Sequence, residues 1–218
     1  MKLLRVLLTL TLTCAPLDAF PAPPGLRSGR AEAVAGLRHP DAAARAEALA
    51  WLAEHGRMAD QPPLLKHLRD KDEGVRGVAE QALWRLWSRS GDAAVDRLLA
   101  EGIEQMQAGR FEEAVTTFSE VIRRKPSFAE GWNKRATVYY LAGDYRRSLA
   151  DCAQVVKRNP RHFGALSGYG QVHFRLEQYE EALAWWRRAL RVNPNMPGVG
   201  MNIDAVEELL QEKKARSI

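Results

Sequence analysis

Cys152 and His162 stand ten residues apart and are the first pair to consider for chemistry, because a thiolate nucleophile needs a nearby base. The five histidines, His39, His55, His67, His162 and His173, could bind metal, but no two have the spacing of paired ligands, and one downstream Cys cannot complete a set. Gly168-Tyr169-Gly170 looks like part of a phosphate-cradling loop, yet no strand precedes it and no Lys-Ser or Lys-Thr follows. The carboxylate pairs Glu112-Glu113, Glu180-Glu181 and Glu207-Glu208 offer acid–base chemistry, but they read as helix starts, where negative charge complements the dipole. Arg123-Arg124-Lys125, Lys157-Arg158 and Arg187-Arg188 would suit nucleic-acid phosphates. Two of these runs close helices whose exposed carbonyls attract them, and all three have acids nearby in sequence. The residue types therefore point to no catalytic centre, metal site or cofactor site, and to no nucleic-acid partner.

The elements that would position such residues begin after a distinctive N-terminus. Lys2 and Arg5 precede an apolar stretch from Val6 to Leu12, the order of a secretory signal, with cleavage expected after Ala19. The stretch is far short of the roughly 20 residues that span a bilayer. A lipid anchor on Cys14 is disfavoured, since Leu12 sits one place too late and Thr13 is bulky beside the Cys. Removing residues 1–19 takes away Lys2, Arg5 and Asp18, so the balance moves from 32 minus 27 to 30 minus 26, or +4. Cys152 is then the only Cys, so an exported chain relies on packing, without an internal disulfide. Residues 20–29, rich in Pro and Gly, read as a linker.

From Arg30 onward Ala, Leu, Glu and Arg recur at helical spacings and no period-2 run appears, so an all-α chain is expected. Pro126, Pro160 and Pro194 are spaced by 34 residues. In that register Gly102, Ala136 and Gly170 coincide, as do Phe111, Tyr145 and Tyr179; Phe118, Cys152 and Trp186; and Val121, Val155 and Ala189. Each period breaks near its middle, at Gly109, Gly143 and Glu177-Gln178, so each unit is a helix hairpin. The small residues allow close approach of the two helices, and the aromatics fill the seam. Cys152, a small substitute there, is expected to be buried and inert. His162, after Pro160, is expected on the surface of a loop.

This pattern resembles the tetratricopeptide repeat. Leu98, Trp132 and Leu166 match its anchor, Tyr139 its Tyr, Ala114 and Ala182 its central Ala, and the three prolines its last position. Ser148, Gln105, His173 and Glu101-Gly102 depart from it. The resemblance implies an α-solenoid, or superhelix, with repeats over 92–128, 129–162 and 163–196. A capping helix and tail over 197–218 would present Ile203, Val206, Leu209 and Leu210 on one face. Residues 30–91 also look duplicated, since Leu37, Asp41, Arg45, Ala48 and Leu52 recur after 31 residues as Leu68, Asp72, Arg76, Ala79 and Leu83. That is similar to a HEAT-type helix pair, in which an Asp caps the second helix and an Arg packs along the stack. Trp84 and Trp87 are expected to pack onto the first tetratricopeptide helix, joining both halves in one continuous solenoid.

In this family the first helices of successive repeats line a concave groove that holds a protein or peptide partner. The resemblance carries that role to Met106, Asn133, Lys134, Thr137, Tyr140, Ser167, Gln171, Phe174 and Arg175. Leu99 and Ile103 also fall there, but read as packing against the HEAT-like half. Such a groove suits a segment with apolar anchors and a few carboxylates. The five positions with which a subset of the family grips chaperone tails hold Leu99, Ile103, Lys134, Gly164 and Gly168 here, and none keeps the required residue. Trp132 is expected to anchor a seam. The reading is a non-enzymatic, exported binding module.

Overall fold

The computed structural model describes residues 29–216. The stretch read as an export signal, Cys14 and most of the residues read as a linker lie outside the described residues. Within them the chain is entirely helical, with eleven α-helices. Four form an N-terminal unit: α1 (Arg30–Gly36), α2 (Ala42–His55), α3 (Gln61–His67) and α4 (Glu73–Trp87). Asp41 accepts from the Ala44 amide and Asp72 from the Val75 amide, so each of the longer helices starts on a carboxylate that satisfies an otherwise orphaned N–H. Arg45 donates to both oxygens of Asp70, at 2.8 and 2.6 Å, and to the carbonyls of His39 and Pro40. Arg76 donates to the carbonyl of Asp70, six residues before it, as Arg45 does to that of His39. The hydrogen bonds from Arg45 hold the Asp70 carboxyl below the usual carboxylate range against the opposing effect of burial.

Six helices follow in three antiparallel pairs: α5 (Ala93–Gln107) with α6 (Phe111–Arg124), α7 (Ala129–Leu141) with α8 (Tyr145–Arg158), and α9 (Phe163–Arg175) with α10 (Tyr179–Val192). Each second helix also packs on the first helix of the next pair, and α11 (Pro197–Arg216) packs on α10. This is the consecutive hairpin stacking of a superhelix. The three hairpin turns share one geometry. Gly109, Gly143 and Glu177 take φ of 73°, 79° and 59°, and the next amide bonds back at 2.9, 2.8 and 2.9 Å to the carbonyls of Gln105, Tyr139 and His173.

The seams inside the pairs follow the small-against-large expectation. A Cβ on Gly102 would lie 2.5 Å from the Phe118 ring, and one on Gly170 would lie 2.5 Å from Trp186, so only glycine admits these aromatics. In the middle pair Cys152 replaces the aromatic and Ser148 stands where the other pairs have alanine, donating to the Ala136 carbonyl at 2.9 Å. Cys152 is buried, and burial pushes its thiol up to about 12, which leaves it an inert core group. Along α11, Val199, Ile203 and Val206 are buried against α10, with Leu210 packed beside them. Glu207 lies in the middle of that helix, not at a start, and pairs with Arg187 across to α10 at 2.5 Å.

The N-terminal unit does not extend the solenoid end to end. It lies along one edge of the array, against the loops that join successive pairs. Gln61 donates to Asn159, Asn193 donates to Glu80, Asn195 donates to the Leu68 carbonyl, and Lys125 donates to the Ser90 carbonyl. Trp84 and Trp87 accordingly meet His162 and Phe163, at the start of the third pair's first helix, and not the first pair. The polar Asn159 and Asn193 of those loops are buried beneath it.

Candidate functional site

The first helices α5, α7 and α9 carry the groove candidates, and the structure sorts them into three groups. Met106 and Leu99 are buried in an apolar cluster with Val95, Phe118 and Val138, and Ile103 packs against it. They belong to the interior of the first pair and present no binding surface; the N-terminal unit is not what covers them. Phe174 is half-buried and leans on Trp186 and Tyr179 in the cluster below α11.

The second group is a buried charge cluster. Glu130 on the first turn of α7 is wholly enclosed, with Lys134 one turn on at 3.2 Å and Asn133 donating to its Oε2 at 3.1 Å. His162 Nδ1 accepts from the Ala165 amide at 3.1 Å, capping α9, which puts the ring proton on Nε2, from which it reaches Glu130 Oε2 at 3.0 Å. Burial works to raise the Glu130 pKa, but the Lys134 charge and the His162 hydrogen bond outweigh it and leave it lowered. Trp87 stacks on the His162 ring at 4.2 Å, and Trp84 meets that ring edge-on at 5.3 Å. His162 is thus a buried cap, not a loop surface residue. A Glu–Lys–His group of this kind has the composition of an acid–base centre. Its side chains are only 0%, 10% and 1% exposed, so no substrate reaches a proton on them. Their chemistry is structural: a carboxylate under two tryptophans fastens α7, α9 and α4 together. Sequence spacing separates Glu130 from His162 by 32 residues, and the signal that could have joined them is the 34-residue period, which sets the two at the starts of successive first helices.

The third group faces solvent. Tyr140, the last residue but one of α7, accepts a hydrogen bond at 3.0 Å from Arg175 Nε at the end of α9. That bond raises the Arg175 pKa. Thr137 and Gln171, one turn earlier on each helix, are half-buried, and Thr137 donates to the Asn133 carbonyl. Leu141 and Leu176, next to Tyr140 and Arg175, are exposed by 44% and 39%. The opposite end of the α9 face is covered: a Cβ on Gly164 would lie 2.2 Å from the Trp84 ring, so glycine here is what admits the N-terminal unit. Trp132 is half-buried, outside the apolar clusters, with Arg158 and Arg135 over its ring at 4.6 and 5.2 Å and its indole N–H on the Pro126 carbonyl. It is a cation-bearing edge residue and not a seam anchor.

A family model described as tetratricopeptide repeat matches residues 99–152 and 133–197. This stretch consists of tetratricopeptide repeats. A TPR repeat-containing protein of Rhizobium etli is 35% identical over 87 residues, which cover 40% of this chain and 42% of that relative. The chain thus spans less than half the length of this curated relative. The first tetratricopeptide domain of Spaghetti (RPAP3), solved with the HSP90 peptide SRMEEVD, is 22% identical at a TM-score of 0.52, over 54% of this chain and 93% of that one. The Sgt2 tetratricopeptide domain of Aspergillus fumigatus is 17% identical at 0.54, over 57% and 83%. The TPR2B domain of yeast Sti1, solved as a complex with pHsp70, is 19% identical at 0.51, over 54% and 99%. At these identities the solved structures establish the tetratricopeptide fold. No described helix is long and apolar enough to cross a membrane.

Proposed function

We propose that this chain is an exported protein-interaction module whose tetratricopeptide array holds an extended segment of a protein partner. The observation that carries this is the exposed Tyr140–Arg175 contact, which joins α7 to α9 across the concave face and lies beside the exposed Leu141 and Leu176. An aromatic ring, two leucines and a guanidinium suit a segment with apolar anchors flanked by carboxylates. The N-terminal unit, which we read as HEAT-like, supplies a fixed wall at the other end through Trp84.

Two of the solved relatives are complexes, one with an HSP90 peptide and one with pHsp70. In this chain, Leu99 at one of the gripping positions is buried, Lys134 is tied to Glu130, and Gly164 lies under Trp84. We therefore assign the groove a different occupant. Export rests on Lys2, Arg5 and the apolar stretch to Leu12, and the intact mass of the protein recovered outside the cytoplasm tests cleavage after Ala19.

The groove is tested by affinity capture from native extract with wild type and a Tyr140→Ala, Arg175→Ala double variant. A protein captured by wild type and lost by the variant, with unchanged melting, supports the groove. Equal capture by both baits refutes it. A marked drop in melting temperature would make the pair a structural contact.

A further inference from the structure

A second site forms where the N-terminal unit meets the array, away from the Tyr140 face. Lys66 of α3, Arg69 in the turn after it, Arg161 between α8 and α9, and Arg191 near the end of α10 line one cleft of about 300 Å³, with Pro62, Leu65 and Val192 as its apolar walls. All four cations are exposed, and no carboxylate lines the cleft. Several arginines elsewhere in the described residues pair with acids instead: Arg45 with Asp70, Arg135 with Asp151, Arg123 and Arg124 with Glu120, and Arg187 with Glu207.

The walls come from three separate segments and are held in place. Arg69 donates to the Val192 carbonyl at 3.1 Å and to the Arg191 carbonyl, on the last turn of α10. The Gln61–Asn159 and Asn195–Leu68 hydrogen bonds lock α3 onto the neighbouring loops. Two of the five guanidinium N–H groups of Arg69 are used in this way, which leaves others to donate to a ligand. Four like charges gathered on a rigid rim repel one another, and a bound anion relieves that repulsion. A carboxylate brings one negative charge. A phosphate brings nearly two to one centre with three acceptor oxygens, and it matches the fork of an arginine.

We propose that this cleft binds a phosphate group carried on a larger molecule. Its volume is at the lower end of small-ligand clefts, about 300 Å³. The apolar walls leave room for the non-phosphate part.

The test titrates the purified chain with inorganic pyrophosphate by calorimetry at low salt, beside a Lys66→Ser, Arg161→Ser double variant. Neither of these side chains makes any of the hydrogen bonds that seat α3. The expected result is saturable binding in wild type, weakened by about tenfold or more in the variant, with unchanged melting. An Arg97→Ser, Arg146→Ser variant with the same loss of charge should keep wild-type affinity. Absence of saturable binding, equal weakening in that control, or citrate binding as tightly as pyrophosphate would each overturn the proposal. Sedimentation with phosphatidylcholine vesicles containing phosphatidic acid separates the sources. Co-sedimentation abolished by the double variant places the phosphate on a lipid headgroup, and pyrophosphate binding without co-sedimentation places it on a soluble compound.

Discussion

Inside the first and third helix pairs the seam is apolar and geometric, a glycine against an aromatic ring, as at Gly170 and Trp186. Between the N-terminal unit and the array the contact is polar and aromatic: Glu130, Lys134 and His162 under Trp84 and Trp87, with asparagines from two inter-pair loops. The first kind of contact repeats and tolerates replacement by another apolar filler, as Cys152 shows. The second occurs once and depends on every partner being present, because an enclosed carboxylate without its cation and donors is costly.

The largest effect should come from the apolar seam. Trp186→Ala is expected to cost about 3–5 kcal/mol in urea denaturation, with little change between pH 7 and acid. Glu130→Ala should cost about 3 kcal/mol at neutral pH, since it leaves Lys134 buried without its partner. Its pH dependence separates the two. The Glu130 pKa is lowered in the fold from an ordinary 4.5, so its contribution is complete above that value and disappears as pH falls through the folded value. The gap between wild type and Glu130→Gln should therefore narrow on acidification; a constant gap would mean the cluster carries no net charge coupling.

Gly164→Ala should cost about 1–3 kcal/mol by driving a methyl into Trp84, with a shift in tryptophan fluorescence, and an unchanged spectrum would unseat Trp84 from that contact. The smallest effect has the opposite sign. Glu177 holds a left-handed φ of 59° where the other turns place glycine, so Glu177→Gly should raise stability by roughly 1 kcal/mol.

This contrast also explains what could be read from the residues alone. The 34-residue spacing of Pro126, Pro160 and Pro194 carries the hairpins, because every period repeats the same packing problem and so the same residue sizes. Asp41 and Asp72 announce helix starts, since capping is local chemistry. Trp84 and Trp87 read as apolar residues at helical spacing, and nothing local says whether they meet the first pair or the third; only the seat at Gly164 decides it. His162 reads as a loop residue, and its burial depends on Trp87, which belongs to a different unit. Trp132 matches the repeat anchor in type, but nearby arginines draw it to an edge. Of the groove candidates, position along a first helix was legible; whether Met106 and Lys134 face a partner or the interior is settled by neighbours from other helices.

The hydrogen bonds that seat α3 and α4 link residues 113, 123 and 127 positions apart in the chain. Every helix pair can close as soon as its own short hairpin has left the ribosome, whereas Leu68, Arg69 and Glu80 must wait for Val192, Asn193 and Asn195 to be made. The N-terminal unit is thus synthesised first and fully seated last, with Trp84 and Trp87 uncovered until His162, Phe163 and Gly164 are made. A chain truncated before His162 would keep that apolar edge uncovered, which makes the last repeat the step at which the nascent protein stops being prone to aggregate.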